Sequence, residues 1–169
     1  MGGYFTPFEL DVLNIGVAAP FNNDILKGGI SFGGELRYNV LDNLSIGVGG
    51  EMVIFNCQDF SATAARTVGS SFYFGISSDY YFSSNSRIRP FIGLGMGVSV
   101  NGDITGVEDN EETEFHEGES GAVIVPRIGI EFNHVRIMTD FNIGMEEGLN
   151  DYFGIKVGFT LGGGFKGNN

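Results

Sequence analysis

The chain is dominated by segments in which apolar and polar residues alternate one by one. Between Ile30 and Val40 the even positions are apolar or glycine, and the odd positions are small, polar or charged. This period of two is typical of a β-strand with one face in an apolar environment and the other in a polar one. The pattern recurs in six more segments, 44–54, 72–82, 88–100, 124–132, 135–145 and 153–161. An additional segment near 8–19 shifts phase between Val12 and Leu13, which indicates a β-bulge, so we predict eight strands and no helix.

The connections between these segments are alternately short and long. Residues 41–43, 83–86 and 133–134 form the short connections, whereas 20–28, 56–67, 101–120 and 146–150 form longer ones. In an antiparallel meander this alternation places the short turns at one end of the sheet and the longer loops at the other. Strands of about ten residues are also long enough to cross the hydrocarbon core of a bilayer when tilted by about 45°.

The polar face of the strands distinguishes a soluble β-domain from a membrane barrel. Glycine weakens a strand and offers nothing to pack against, so it is disfavoured on a water-exposed face. The lumen of an eight-stranded barrel, in contrast, has room for little more than its own side chains. The polar face carries eleven glycines: Gly33, Gly47, Gly49, Gly75, Gly93, Gly95, Gly97, Gly129, Gly144, Gly154 and Gly158. We therefore predict an all-β fold, an eight-stranded antiparallel up-and-down transmembrane β-barrel, with a soluble barrel that binds an apolar ligand as the alternative.

Length and composition narrow the remaining possibilities. The 169 residues are expected to form a single barrel domain over residues 1–169. The net charge of −12 argues against nucleic acid as a partner, since little basic charge is left to neutralise phosphates. No apolar run approaches the ~18–20 residues of a membrane-spanning helix. The start at Met1-Gly2-Gly3 is interpreted as that of a mature chain whose signal peptide has been removed.

Ionisable residues on the predicted polar face are balanced in charge, although the whole chain is acidic. Five acidic and five basic side chains fall there: Glu35, Glu51, Asp79, Glu131 and Asp140 against Arg37, Arg89, Arg127, Arg136 and Lys156. Buried charges need partners of opposite sign, whereas solvated charges do not. The balance predicts that these ten side chains form ion pairs inside the barrel.

The lengths of three connections predict which of these residues lie directly opposite each other. A two-residue turn at 133–134, a five-residue loop at 146–150 and a turn at 82–86 give four pairs: Glu131 with Arg136, Arg127 with Asp140, Asp140 with Lys156, and Asp79 with Arg89. Directly opposed residues have Cβ atoms about 4.5–5.5 Å apart, within reach of an ion pair.

These features resemble the small eight-stranded bacterial outer-membrane barrels, the OmpA/OmpX-like porin-family and opacity-protein group. The alternating strands and the charged polar face carry the resemblance over nearly the whole chain. The run from Lys156 to Phe165 is similar to the aromatic-terminated last strand that the outer-membrane assembly machinery reads, although Lys166–Asn169 follow it. No peptidoglycan-binding domain is expected after the barrel, so a tethering role is not implied.

The resemblance implies a location in the outer membrane of a Gram-negative bacterium, with short turns in the periplasm and long loops at the cell surface. The implied partners are outer-membrane lipid and lipopolysaccharide, the assembly machinery, and a host or surface ligand bound by the loops. Aromatic girdles are expected at the two membrane interfaces: Tyr38, Phe82 and Phe132 near the short turns, and Phe32, Phe72 and Phe153 near the loops.

The segment 101–120 is rich in carboxylates and has no basic residue. Its acidic side chains include Asp103, Glu108, Asp109, Glu111, Glu112 and Glu114, followed by Glu117 and Glu119. Carboxylate oxygens suit Ca²⁺ or Mg²⁺, so the segment is a weak candidate for divalent-cation binding. Its spacing matches no EF-hand loop, however, and a run of like charges is typical of a solvated mobile loop, the interpretation that we favour.

Catalytic and metal-binding patterns are not found in the sequence. His116 lies in the acidic segment and His134 in a short turn, and neither has neighbours spaced as a metal triad or a hydrolytic triad. Glycine runs such as 93–97 and 162–164 are followed by neither a helix nor a phosphate-loop lysine. The lone Cys57 is interpreted as a spare loop thiol. We therefore expect a non-enzymatic protein without a cofactor or metal.

Four roles are compatible with these predictions. The first is a surface protein whose rigid barrel presents loops for adhesion or ligand binding. The second is a narrow pore for small solutes, against which the predicted ion pairs argue because they would plug the lumen. The third is a structural role in membrane integrity, which the sequence does not distinguish from the first. The fourth is the soluble barrel that binds an apolar ligand.

Overall fold

The computed structural model of the protein describes residues 8–21, 26–57, 68–83, 87–102, 104–108, 111–116, 119–146, 148–149 and 151–162. These residues form ten strands: β1 (Phe8–Pro20), β2 (Leu26–Leu41), β3 (Leu44–Cys57), β4 (Val68–Tyr81), β5 (Ile88–Asn101), β6 (Ile104–Glu108), β7 (Glu111–His116), β8 (Ser120–Phe132), β9 (Val135–Gly144) and β10 (Tyr152–Gly162). Within the described part of the chain, no helix is long and apolar enough to span a membrane.

Eight of the ten strands close into one antiparallel barrel. Each pairs with its neighbour in the order β1-β2-β3-β4-β5-β8-β9-β10, and β10 pairs back onto β1. The predicted fold class, an eight-stranded up-and-down barrel, is confirmed. The predicted bulge is also found, because the register of β1 shifts between Asp11 and Leu13 against β10.

The strands β6 and β7 form a hairpin inside the longest connection. Ile104 pairs with His116 and Glu108 with Glu111, and Thr105 of β6 pairs with Val68 of β4. The sequence predicts a solvated mobile loop here and no strand, so this hairpin was not predicted. Its alternation is weak and its many acidic residues have low strand propensity, so pairing next to the end of β4 overrides the local signal.

The two faces of the barrel wall are as different as the alternation predicts. Leu36, Ile46 and Phe74 point outward and are 44%, 49% and 66% exposed, whereas Arg127 and Lys156 point into the lumen and are 9% and 3% exposed. An apolar outer face around a polar, charged interior is the reverse of a soluble barrel that binds an apolar ligand. The aromatic residues expected in the two girdles lie on the outer face as well, with Phe82 65% exposed.

Short turns and long connections lie at opposite ends of the barrel. The turns between β2 and β3, β4 and β5, and β8 and β9 are at one end, called here the turn end. The strand ends that flank the connections 21–25, 58–67, 102–119 and 145–151 are at the other, which is called here the loop end. Asn133 adopts a left-handed conformation (φ 53°) in the two-residue turn, a geometry that Asn tolerates better than most residues.

Candidate functional site

All ten charged residues predicted for the interior lie on the inner face of the barrel, where they form two clusters. Seven of them constitute the large cluster, which extends from the middle of the barrel to the turn end: Glu35, Arg37, Asp79, Arg89, Arg127, Glu131 and Arg136. Three constitute the small cluster, which lies nearer the loop end: Glu51, Asp140 and Lys156. With all groups ionised, the large cluster has one excess positive charge and the small cluster one excess negative charge, so these ten side chains together are neutral.

Arg127 is the centre of the large cluster. Its Nε and Nη2 donate to the two carboxylate oxygens of Asp79 at 2.6 and 2.9 Å. Its Nη1 and Nη2 donate to the two oxygens of Glu35 at 3.0 and 2.9 Å. Both are bidentate contacts, the strongest geometry for an arginine–carboxylate pair. Asp79 also accepts a bond from Arg136 Nη2 at 2.6 Å, so one carboxylate holds two guanidinium groups.

Glu131 organises the turn-end half of the same cluster. It accepts hydrogen bonds from Arg37 at 3.2 Å, from the Tyr81 hydroxyl at 3.1 Å, and from Arg89. The Arg89 guanidinium also lies 4.6 Å from the centre of the Tyr81 ring, a cation–π contact. These side chains come from β2, β4, β5 and β8, so the network links strands that are far apart in sequence.

Lys156 holds the small cluster together. Its ammonium group contacts Glu51 of β3 and Asp140 of β9, and only 3% of the lysine is exposed. The Glu51 contact crosses the lumen, because β10 and β3 are separated by β1 and β2 along the wall. The ion pair therefore links β10 to β3 across the lumen in the loop-side half of the barrel.

The register agrees with the sequence prediction at the short turn but not at the longer connections. Glu131 is opposite Arg136 and Arg127 is opposite Asp140, as a two-residue turn requires. These neighbours do not form the closest ion pairs, since Arg127 reaches across the lumen to Glu35 and over Gly93 to Asp79 instead.

The two other predicted alignments are wrong. Asp140 is opposite Gly154 rather than Lys156, because Tyr152 is aligned with Asn142 and not with Gly144 as the assumed loop requires. Asp79 is opposite Gly93 rather than Arg89, since Tyr81 is aligned with Phe91 and not with Arg87 as the assumed turn requires. In both cases the carboxylate faces a glycine, which leaves space for a longer basic side chain from further along the wall.

A glycine-lined wall lies opposite the large basic side chains. Gly33, Gly49, Gly75 and Gly95 border a cavity of about 50 Å³ that separates the two clusters, and Arg127 and Lys156 border its other side. By volume it would hold about three or four water molecules, at roughly 10–15 Å³ each. The buried Asn14 Oδ1 and Asp140 Oδ1 have no protein partner there, and water is suited to supply the missing donors.

Apolar side chains pack in the lumen at the loop end and within the large cluster. At the loop end one group consists of Ala18, Val53, Phe55 and Tyr152, and another of Val123, Val125 and Leu149. Near the turn end, Tyr81 and Phe91 pack with Met138. These groups were not predicted from the sequence, although Val53, Phe55 and Phe91 occupy inward positions in the alternation. An apolar residue at an inward position is the sequence feature from which these groups could have been predicted.

The acidic segment is described only in part. Asp103 and Asp109 lie outside the described residues, and Glu108, Glu111, Glu112 and Glu114 are strand residues of the β6–β7 hairpin. Among the described residues, no group of three or more His, Cys, Asp and Glu side chains is arranged to hold a metal ion. Divalent-cation binding by this segment stays a prediction. His134 Nδ1 lies 3.1 Å from the Thr160 carbonyl oxygen, a structural contact at the turn end.

Comparison with solved structures gives proteins of the same architecture. Neisserial surface protein A (NspA) is similar with a TM-score of 0.60 at 13% sequence identity, covering 94% of this chain and 99% of that one. The outer membrane protein OprG from Pseudomonas aeruginosa has a TM-score of 0.56 at 11% identity, covering 95% and 98%. Ail, the attachment invasion locus protein of Yersinia pestis, has a TM-score of 0.55 at 13% identity in its complex with the heparin analogue sucrose octasulfate, covering 92% and 100%.

Comparison of sequences identifies no related protein. No protein-family model matches this chain, and no curated protein matches it in sequence. At identities this low, structural similarity carries information on fold alone. The chain has the fold of the small eight-stranded outer-membrane β-barrels.

Proposed function

We propose that this protein is a non-enzymatic integral barrel of the bacterial outer membrane that presents its loops for interaction at the cell surface. The observation that carries the proposal is the sidedness of the wall. Bulky apolar side chains cover the outside, and ten charged side chains are paired inside. Exposed apolar area on this scale is unstable in water but is solvated by lipid, and the structurally similar proteins include outer-membrane proteins by name.

The interior favours a scaffold over a channel. Cross-lumen ion pairs fill the middle of the barrel, and apolar side chains pack in the lumen at the loop end and within the large cluster. An ion entering this lumen would have to displace paired charges that have lost their hydration, which is costly in a low-dielectric interior. We expect the barrel to be stable and closed, with activity residing in the loops.

Charge at the loop end restricts the class of surface partner. The four connections at that end carry one basic residue, Arg66, and thirteen acidic ones: Asp24, Asp59, Asp103, Glu108, Asp109, Glu111, Glu112, Glu114, Glu117, Glu119, Glu146, Glu147 and Asp151. Ail is described in complex with a heparin analogue, which is a sulfated polyanion. Repulsion by the acidic loops makes such a ligand unsuitable here, so a surface partner of this chain is expected to present basic groups.

Membrane location is tested by extraction and gel migration. The chain expressed with a signal peptide should be extracted from the envelope fraction only with detergent. It should also migrate differently on gels before and after heating, because the closed barrel resists unfolding by detergent in the cold. A chain that stays monodisperse in buffer without detergent would contradict the proposal and favour a soluble barrel.

Loop presentation is tested by deletion. Removing residues 102–119 should abolish binding of cells to any target that the intact protein binds, whereas the barrel should retain its heat-modifiable migration. Shortening the 58–67 connection serves as the matched control for loop loss at the same end. Unchanged binding after both deletions would contradict a role of the loops and favour a purely structural role in the membrane.

A narrow pore is the second candidate, and the glycine-lined cavity is the observation that favours it. The cavity occupies the lumen between the two clusters, and among the described residues it is the ion pairs and the apolar groups that interrupt a path along the axis. Planar-bilayer recording distinguishes the two functions. Reproducible single-channel steps of the intact protein would support conduction, and silence at matched insertion levels would support the closed scaffold.

A further inference from the structure

An apolar groove crosses the outer face of the barrel on the loop-side half of β2 to β5. One side of the groove is a row of directly paired outward residues, Phe32, Met52, Phe72 and Val100, one from each strand. The next row towards the turn end continues from Gly50 to Phe74 and Val98. The groove is open to its surroundings and has a volume of about 480 Å³. Four strands spaced by ~4.8 Å make the groove about 14 Å long.

The groove exists because bulky side chains are missing at one place in the outer face. Gly34 and Gly50 are paired with each other and both occupy outward positions. On the neighbouring strand, Phe74 is opposite Gly50 and 66% exposed. The Phe74 ring therefore lies beside Gly50, which has no side chain, and the backbone at Gly50 forms part of the groove floor.

The chemistry of the groove selects a flexible hydrocarbon as its occupant. The outward side chains along it are aromatic or aliphatic, or methionine, and none of them can donate a hydrogen bond to a polar headgroup. The wall around it is covered by further outward apolar residues, so the groove is continuous with the surface that faces lipid in the proposed function. A second barrel has a convex wall that cannot enter a narrow groove, whereas a single alkyl chain can follow its floor.

We propose that this groove binds one acyl chain of an outer-leaflet lipid. The assignment to that leaflet rests on the proposed function, since the groove lies on the side of the barrel towards the loops. Phe32 and Phe72, which the girdle pattern places near the loop-side interface, lie on the side of the groove that is close to the headgroups. Contact of the alkyl chain with three aromatic rings and a backbone floor gives it more packing partners than a chain on the unbroken outer wall.

Photolabelling in vesicles tests the groove. The full chain is reconstituted into vesicles of phosphatidylethanolamine and phosphatidylglycerol that contain a trace of phosphatidylcholine with a diazirine on one acyl chain. After irradiation, peptides that contain Met52, Phe72 or Val98 should carry at least threefold more label per outward residue than peptides of β9 and β10. Equal labelling around the barrel would overturn the proposal, because it would describe lipid that covers the wall without preference.

Two variants and a matched control test whether the groove itself causes the excess labelling. Val98→Trp should fill the groove and Phe74→Ala should remove one of its sides, and each should reduce the excess labelling at Met52 by at least half. Val157→Trp, at an outward position of β10 with similar exposure, should leave the excess unchanged. Persistence of the full excess in Val98→Trp and Phe74→Ala would overturn the groove. Failure of the wild-type chain to insert into vesicles at all would instead overturn the proposed function.

Discussion

Lys156 and Asp140 form an ion pair although they are not opposite each other in the sheet. Asp140 of β9 is aligned with Gly154 of β10, and Lys156 is two residues further along the strand. The pair can form because Gly154 has no side chain. A Cβ there would lie 2.7 Å from Asp140 Oδ1 and 3.0 Å from Lys156 Cε. The absence of a side chain thus creates the space in which the charged atoms meet.

Loss of the Asp140 carboxylate should destabilise the barrel. Asp140→Asn leaves Lys156 buried with Glu51 as its remaining partner, and an incompletely compensated buried charge costs about 3 kcal/mol. We expect a lower midpoint in urea unfolding of the barrel reconstituted in vesicles, and a lower temperature for the gel-mobility change. Asp42→Asn, at an exposed turn position, is the control and should change neither. Equal stability of Asp140→Asn and wild type would contradict the ion-paired interior.

Among the carboxylates of the large cluster, Asp79 should cause the largest loss of barrel stability when it is replaced. It is fully buried and accepts bonds from both Arg127 and Arg136, so Asp79→Asn leaves two guanidinium groups with weaker partners. Because Arg127 retains Glu35 whereas Arg136 loses its carboxylate partner, we expect a loss of about 3–5 kcal/mol. The same urea titration measures it. A smaller loss than that of Asp140→Asn would show that the large cluster does not depend on Asp79.

Adding a methyl group at Gly154 should be costly, whereas the same change at Gly28 should not. The new Cβ at Gly154 would overlap the Asp140–Lys156 pair, and overpacking typically costs about 1–3 kcal/mol. At Gly28 the nearest atom to an added methyl carbon is the Ala18 carbonyl oxygen at 3.6 Å, an ordinary contact. The unfolding midpoint of Gly154→Ala should therefore be clearly lower than that of Gly28→Ala. Coinciding midpoints would argue against a role of Gly154 in accommodating the diagonal pair.

Sulfated polyanions should not bind the loop end. Thirteen acidic residues and one basic residue in its connections repel such ligands, in contrast to what the complex of Ail implies for that protein. Calorimetric titration of the detergent-solubilised chain with sucrose octasulfate should show no saturable heat at millimolar concentration. Saturable binding would mean that local loop structure outweighs the overall charge and would contradict the expectation of a basic partner.

The sequence predicts the wall of this barrel better than its interior contacts. Strict alternation determines which side chains face outward, and the two-residue turn after Phe132 determines the pairing of Glu131 with Arg136. Longer connections do not determine register in this way, because several loop lengths are compatible with the same residues. Arg127 reaches Glu35 across the lumen and Asp79 over Gly93 of β5. The first contact depends on barrel closure, and both depend on side-chain length rather than on pairing between neighbouring strands.

Two other features depend on context that a single strand does not contain. The apolar groups at Phe55 and Tyr152 form only when β3 and β10 face each other across the closed lumen. The β6–β7 hairpin forms in a segment whose acidic composition favours a loop, and its pairing with Val68 joins it to the end of β4. In both cases tertiary contacts override the local pattern.

The sidedness of the wall is tested most directly by tryptophan fluorescence, because the chain contains no tryptophan. Phe74→Trp places the probe on the outer face, and Tyr73→Trp places it on the adjacent inward position beside the cavity. In vesicles of lipids brominated at mid-chain, Phe74→Trp should be strongly quenched and Tyr73→Trp only weakly. Strong quenching of Tyr73→Trp together with an unquenched Phe74→Trp would contradict an apolar outer wall around a polar lumen.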